Sequence, residues 1–406
     1  MAEGLIEPLV LAMNSGSSSL KFALFRFRGE GERRIADGAV EGIGLPAGHA
    51  WLRLDGDARP RERGSVYADH ASAISAAFAL LEEHHLALPT AVGHRIVHGG
   101  PAHDTPEVVD AALLAALRRA TRFAPLHLPA ELSGIDAVAA RFPHLPQVVC
   151  FDTGFHRGLP EVARRFPLPR RFEDQGLRRY GFHGLSYEYL VETLGAGPLG
   201  RAVLAHLGNG ASMVAVKNGE PLDTTMGLTP TGGFMMGTRT GDLDPGLLIH
   251  LLGEGHDARS LEHLVNHEAG LLGVSGSTSD MKALLAQRAD HADAALAVEM
   301  FCYQARKAIG ALAAVLGGLD SLVFTGGIGE RAAPVRGSIC AGLEHLGIRI
   351  DPALNAVGAP VISADGGPCT VRVLVTDEER MIARHTWRTL LRASSWPSAD
   401  RQSQAL

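Results

Sequence analysis

The sequence predicts an α/β protein made of two lobes with a common plan. Three observations carry this. Short apolar, strand-like runs alternate with helix-like stretches along the whole chain. The length of 406 residues suits two domains or more. One layout also occurs twice: VLAMNSGSSSL (Val10 to Leu20) and VLAHLGNGASM (Val203 to Met213) align without gaps and match at Val, Leu, Ala and the last Ser. Four identities in eleven positions are weak by themselves. The shared order of strand, Gly/Ser turn, strand and polar turn (Arg28 to Glu30, Asn218 to Glu220) supports a duplicated domain. Two such lobes facing one another are expected to enclose a cleft.

In chain order, Val10 to Met13 and Phe22 to Phe27 are apolar runs on either side of NSGSSSLK and read as a hairpin. Stretches of helical length follow at Asp69 to His85, Pro106 to Ala120 and Pro129 to Arg141, and Val148 to Asp152 reads as a buried strand. The second lobe opens with Val203 to His206 and Met213 to Val216 around LGNGAS, the repeat of the first hairpin. It continues with a helix at Asp293 to Gly317 and buried strands at Ser321 to Thr325 and Val371 to Thr376. A last helix, Glu378 to Ala393, precedes the polar tail SSWPSADRQSQAL, which is read as disordered. The expected division is 1–154 plus 381–406 for the N-terminal lobe and 155–380 for the C-terminal lobe.

Lys+Arg minus Asp+Glu is 38 − 44 = −6, with 46% hydrophobic and 20% charged residues, the balance of an ordinary soluble protein with no nucleic-acid surface. Cys150, Cys302, Cys340 and Cys369 form no CxxC pair, so free thiols and a cytoplasmic location are expected. MAEGLIEPLVLAM lacks a basic start and is not read as a signal peptide. The longest apolar segment, Ile309 to Phe324, is broken by Gly310, Gly317, Gly318 and Asp320, short of the ~20 residues that a membrane span needs.

Three groups of residues point to chemistry. The loop NSGSSSLKF lets backbone N–H groups approach an anion, and Lys21, one of only four lysines, closes it. HLGNGAS (His206 to Ser212) and TGGIGE (Thr325 to Glu330) are two further Gly-rich turns after apolar strands, natural contacts for phosphate or nucleotide. Charged residues also stand at expected strand ends: Arg95 in GHRIVHGG, His127 in APLHLPA, Asp152 in CFDTGFH, Arg179 and His183 in RYGFHG, and Arg239 and Asp242 in MGTRTGDLDPG. Ligands sit at such ends in open α/β sheets, and Arg is the side chain for a bidentate grip on carboxylate or phosphate. Gly327, Gly329 and Ala332 also fit a dinucleotide fingerprint with Asp351 in the place of a ribose acid, so an NAD-dependent dehydrogenase is the distant alternative. His263 and His267 have the spacing of a metal pair without the Glu of HExxH and read as a solvated helix face. No GK[ST] and no GxSxG occurs.

In order, NSGSSSLKF, GHRIVHGG, APLHLPA, FDTGFH, RYGFHG, HLGNGAS, DTTMGLTP, MGTRTGDLDPG, SGSTSDMK, FTGGIGE and TDEE span about Met13 to Ala383, and the chain resembles the acetate kinases. The resemblance implies duplicated actin-like ATPase (ribonuclease H-like) lobes with a nucleotide cleft between them. It implies a homodimer that uses ATP/ADP and Mg²⁺, with Mn²⁺ an option, to convert acetate reversibly to acetyl phosphate; a propionate or butyrate kinase is the near alternative. It implies that Asn14 and Glu378 hold the metal. Lys21, His206, Leu207, Gly208, Asn209, Gly210, Asp280, Met281, Lys282, Gly327, Ile328, Gly329, Glu330 and Arg331 would contact the nucleotide, mostly from the C-terminal lobe, which would also carry the dimer interface. Arg95 and Arg239 would grip the carboxylate and the transferring phosphoryl, His183 would stabilise the transition state, Asp152 would be the active-site acid and His127 a supporting residue. Val97, Leu126, Phe182 and Pro230 would receive the methyl group.

The chain departs from the family pattern at Leu128 (for Asn), Gly233 (for Glu), Thr240 (for Ser), Arg331 (for Asn), Lys282 (for Arg) and Tyr187 (for His). Leu128 adjoins the expected acyl pocket and Lys282 the nucleotide, so these departures bear on acid preference and nucleotide affinity. The nucleophile is a carboxylate, ionised at neutral pH, and needs no general base. Asp152 is therefore expected to orient Arg95, a water or Mg²⁺ rather than to move a proton.

Overall fold

In the computed structural model, which describes residues 7–16, 18–29, 31–125 and 127–393, the chain divides into two compact units. One holds residues 1–154 and 377–406, the other 155–376. Leu126 and the tail 394–406 lie outside the described residues. The return to the first unit falls between Thr376 and Asp377, where Asp377 caps the last helix; the sequence-based division at 380 and 381 would cut that helix.

The first unit is built on an eight-stranded sheet. Its strands are β1 (Leu9–Ser15), β2 (Ser19–Arg28), β3 (Gly31–Glu41), β4 (Gly48–Leu54), β5 (Arg61–Ser65), β6 (Ala91–Ile96), β7 (Glu107–Val108) and β8 (Gln147–Phe151), in the order β5-β4-β3-β2-β1-β6-β8-β7. β1 and β2 form the expected hairpin, with Asn14 paired to Lys21 across it. β6 runs parallel to both β1 and β8. Helix α1 (His70–Glu83) is capped by Asp69 and Ser72 in a reciprocal box. Its Ala73, Ile74, Ala77, Phe78 and Leu81 pack on Leu9, Leu11, Met13, Phe22 and Leu24. α3 (Leu128–Arg141) packs on α1 and on β6, and also on α2 (Ala111–Ala120).

The last helix, Glu378–Arg392, lies on β1, β6 and β8, so the central strands are covered on both faces and their apolar runs are continuous. Glu32 on β3 holds it by ion pairs of 2.8 Å to Arg380 and Arg384, and Trp387 stacks on Phe27 at 5.2 Å. Gly93 admits the helix: a Cβ there would stand 2.1 Å from Thr386 Oγ1 and 2.7 Å from Ile382 Cγ2.

The second unit has a five-stranded sheet of β9 (Arg201–Leu207), β10 (Ala211–Lys217), β11 (Glu220–Thr224), β12 (Ser321–Thr325) and β13 (Thr370–Val373), in the order β11-β10-β9-β12-β13. An antiparallel hairpin, a third antiparallel strand beside it and two parallel strands on the other side also describe β3-β2-β1-β6-β8. The repeat seen in eleven residues thus extends over five strands of each sheet. One face is covered by the helix Gly184–Leu194 through Tyr187 and Leu190, and the 25-residue helix Ala292–Leu316 packs on β9, β10 and β11.

Two expectations are corrected. The stretch Pro106 to Ala120 is not one helix: Glu107 and Val108 pair with Val149 and Val148 as an edge strand, and α2 starts at Ala111 with Asp110 accepting from Leu113 N–H at 2.7 Å. β-branched residues favour the strand and the Asp favours the cap. TGGIGE is not a turn either but runs directly into the short helix Gly326–Arg331.

Candidate active site

At the end of β1 in the first unit, Asn14 Nδ2 donates to Glu378 Oε2 at 2.9 Å and to Glu379 Oε1 at 3.2 Å. Burial raises the pKa of both carboxyls; Asp152 adds to the rise at Glu378, Glu378 adds to that at Glu379, and Arg95 and Lys21 oppose the rise at Glu378. At the end of β6, Arg95 Nη2 donates to Asp152 Oδ2 at 2.8 Å, and Asp152 is 0% exposed. Arg95 Nη1 lies 3.7 Å from Glu131 Oε1. Burial works against the Arg95 charge, but Asp152, Glu378 and Glu131 outweigh it and raise the pKa. Val97 is buried and its N–H donates to Glu131 Oε2 at 2.9 Å. His127 is the N-cap residue of α3, one turn before Glu131, whose N–H donates to the His127 carbonyl.

In the second unit His183 sits at the N-cap of Gly184–Leu194 with φ +59°, a left-handed conformation that non-glycine residues rarely adopt. Its Nδ1 lies 2.8 Å from Ser212 Oγ, which in turn meets Tyr187 OH at 2.5 Å. The ring stacks on His206 at 4.2 Å, and His206 Nδ1 is 2.9 Å from Ser186 Oγ. Gly210 lies against both His183 and Arg239: a Cβ there would be 3.4 Å from Arg239 Nη1 and 3.5 Å from His183 Nε2. Arg239 Nη1 donates to the Pro230 carbonyl at 3.2 Å. Gly210, in the turn between β9 and β10, thus borders an imidazole and a guanidinium. Gly237 N–H donates to the Asn209 carbonyl at 2.9 Å, and a Cβ on Gly237 would collide with Asn209 Oδ1.

The expected nucleotide residues divide by what their side chains already do. Gly326, at φ +76°, packs on the Leu207 backbone, so the loop after β9 and the helix Gly326–Arg331 are neighbours. Gly327 and Arg331 are exposed, Ile328 is half-buried and Gly329 is buried. Glu330 Oε1 accepts from Gly326 N–H at 3.0 Å and Thr325 Oγ1 at 3.2 Å. Leu207 and Met281 have buried side chains. Asp280 caps the separate helix Met281–Gln287, accepting from Lys282 N–H at 3.0 Å, and Lys282 is exposed. Phe182 is buried beside His183, and Leu126 lies outside the described residues.

Other charged candidates are structural. Arg179 Nη1 donates to the carbonyls of Thr224, Thr225 and Met226, and Asp242 Oδ1 accepts from Gly233 N–H. Asp351 caps Pro352–Val357 by accepting from Ala353 and Leu354 N–H, which removes the ribose acid of the dinucleotide reading. His263 is exposed and 3.2 Å from Glu268.

The acetokinase family profile matches residues 9–384. The chain belongs to the acetokinase family. It is 45% identical to an acetate kinase of Rhodopseudomonas palustris over 394 residues, 94% of this chain and 98% of that protein. The crystal structure of Porphyromonas gingivalis acetate kinase has 37% identity and a TM-score of 0.82, covering 94% of this chain and 100% of that one. The propionate kinase of Francisella tularensis has 33% identity and a TM-score of 0.86, covering 94% and 99%. The fold is accordingly the duplicated actin-like ATPase fold, and the dehydrogenase alternative falls.

Within this acetokinase four supporting residues escaped sequence reasoning. Glu131, Glu379 and Ser212 hold or neighbour expected site residues, and Arg336, fully buried, donates to the carbonyls of Gly329 and Glu330 and fixes the helix Gly326–Arg331. Ser212 and Glu379 lie in the motifs HLGNGAS and TDEE and Glu131 is an acid within the apolar run APLHLPAEL, whereas Arg336 left no trace. Tyr187, noted as a departure, is the hydroxyl that holds Ser212.

Proposed function

We propose that this acetokinase transfers the γ-phosphoryl group of ATP reversibly to acetate, giving acetyl phosphate and ADP by direct in-line displacement. The observation that carries the proposal is Arg95, half-buried at a strand end, braced by Asp152 and leaving its buried Nε without a hydrogen-bond partner among the described residues. A guanidinium so held is built to receive a carboxylate. His183 and Arg239 would meet the equatorial oxygens of the transferring group, where negative charge must be neutralised as the bond to the leaving oxygen lengthens. The acetate oxygen attacks as an anion, so no residue need take a proton, and Asp152 orients Arg95. Val97, Leu126, Phe182 and Pro230 are assigned to the acyl methyl, and His127 to a supporting role.

Lys21, His206 to Gly210, Asp280 to Lys282 and Gly327 to Arg331 are assigned to the nucleotide. Asn14, Glu378 and Glu379 offer oxygen donors alone, two of them carboxyls that burial disfavours as a charged pair. That donor set fits Mg²⁺, which binds few protein oxygens and keeps waters and phosphate oxygens; Mn²⁺ is the alternative. Among the described residues no group of three or more His, Cys, Asp and Glu forms a cage. The metal would neutralise charge on the phosphates.

A homodimer through the second unit is part of the proposal. The helix Pro245–Gly253, PGLLIHLLG, has no buried residue, and its Ile249 is 69% exposed. Such an apolar helix is the surface a second copy would cover. Four free, buried cysteines support a cytoplasmic setting.

The test is acyl phosphate formation, trapped with hydroxylamine, from Mg-ATP and acetate, propionate or butyrate in parallel. Rates falling with chain length are expected. Faster turnover of propionate would favour the second reading, which the likeness to a propionate kinase and the buried Leu128 support. No acyl phosphate from any acid would overturn both.

A further inference from the structure

We propose that Glu131 is a positioning residue whose protonation state sets how firmly Arg95 grips the substrate carboxylate. Glu131 is 3% exposed, deeper than a carboxylate ordinarily sits without a full set of partners. Its two oxygens differ. Oε2 accepts the Val97 N–H at 2.9 Å, which fixes the side chain whether or not it is charged. Oε1 has no hydrogen-bond partner among the described residues and faces Arg95 Nη1 at 3.7 Å, too far for a hydrogen bond and close enough for strong Coulomb attraction in a buried setting.

Two acids therefore bracket one guanidinium. Asp152 takes Nη2 through a 2.8 Å hydrogen bond, and Glu131 acts on Nη1 by charge alone. Arg95 from β6 and Asp152 after β8 are the charged groups acting on Glu131; α1 and α2, packed on the same helix, bring none to it among the described residues. Burial pushes the Glu131 carboxyl up to about 7, against the pull of Arg95 and the Val97 N–H and with the help of Asp152, so it changes charge in the ordinary working range.

The consequence follows from linkage. Ionised Glu131 competes with an incoming carboxylate for Arg95, whereas protonated Glu131 leaves one competitor fewer. An acid that binds at Arg95 adds a negative charge near Glu131 and favours its proton, so binding the acid takes up a proton. The KM for the acid rises with pH above 7, towards tenfold per unit, while kcat follows a different profile.

This inference rests on the reading of Arg95 as the acid-binding residue, and the experiment separates the two. KM and kcat for acetate are measured from pH 6 to 8.5 at saturating Mg-ATP in the wild type, Glu131→Gln and Arg95→Ala. Expected are a rising KM in the wild type, a low and level KM in Glu131→Gln, and a high KM in Arg95→Ala. If Arg95→Ala leaves KM unchanged, the reading of Arg95 fails and this inference with it. If Arg95→Ala raises KM but the Glu131→Gln profile parallels the wild type, only the role of Glu131 is overturned. Titration calorimetry of wild-type enzyme with acetate, in two buffers of different ionisation heat at pH 7, decides the matter should Glu131→Gln not fold. A fractional proton uptake is expected, and none would overturn the proposal.

Discussion

On the proposed reading, Asp152 works through Arg95. Its carboxylate is wholly buried and accepts from the guanidinium at 2.8 Å, so in Asp152→Asn the arginine keeps a neutral partner and loses its fixed orientation. The expected loss in kcat is on the order of 10²- to 10³-fold, the scale for a misplaced charge donor. Added small bases at high pH should not restore it; rescue would show proton transfer instead. At His183 the support is a hydroxyl. Ser212→Ala removes the partner of Nδ1, and one lost orienting hydrogen bond of ~1.4 kcal/mol corresponds to about a tenfold lower kcat. An unchanged kcat would mean that stacking on His206 and the backbone at the N-cap hold the ring without it.

Glycines show how the elements are fitted. On β6 the last helix passes so close to Gly93 that Gly93→Ala must displace Thr386 and Ile382, and with them the helix that carries Glu378 and Glu379. Overpacking of this kind costs about 1 to 3 kcal/mol, readable as a lower urea midpoint. Gly310 lies inside the helix Ala292–Leu316 with nothing within 4 Å of an added Cβ. Gly310→Ala should therefore stabilise, by about 0.5 to 1 kcal/mol, through helix propensity and a restricted unfolded chain. Opposite signs from one substitution type would confirm that packing, not residue class, decides.

The molecule's response to pH sums opposing groups in the first unit. His94, buried and bonded to Gln147 at 2.7 Å, is held by burial at about 4, below its ordinary 6.5, so its contribution is present above pH 6.5 and is lost as pH falls towards 4. Glu131, raised from 4.5 to about 7, contributes stability below pH 4.5 that is lost as pH rises to 7. Between 4.5 and 6.5 the two cancel in part. Glu131→Gln removes one term, so stability of the variant should rise more steeply with pH there, by up to ~1.4 kcal/mol per unit. Equal slopes in urea titrations would mean that Glu131 ionises normally. At the level of assembly, Ile249→Glu places a charge on the exposed apolar helix and should convert a dimer to monomers in sedimentation velocity, whereas an unchanged mass would move the interface elsewhere.

Over the whole molecule, the elements that local pattern controls could be read before any packing was known. The hairpins around NSGSSSLK and LGNGAS, the strand Ser321–Thr325 and the helices beginning after Asp69 and at Glu378 were legible from apolar runs and small-residue turns. Arg95, His183 and Arg239 could be proposed because each stands in a contiguous motif. Tertiary structure alone decided burial and pairing between segments far apart in the chain. It set Glu131 against Arg95, Glu379 beside Asn14, and Ser212 between His183 and Tyr187. It also made an edge strand of Glu107 and Val108. A side chain's charge and freedom depend on what surrounds it, and those neighbours are brought together only when the sheets and their covering helices pack.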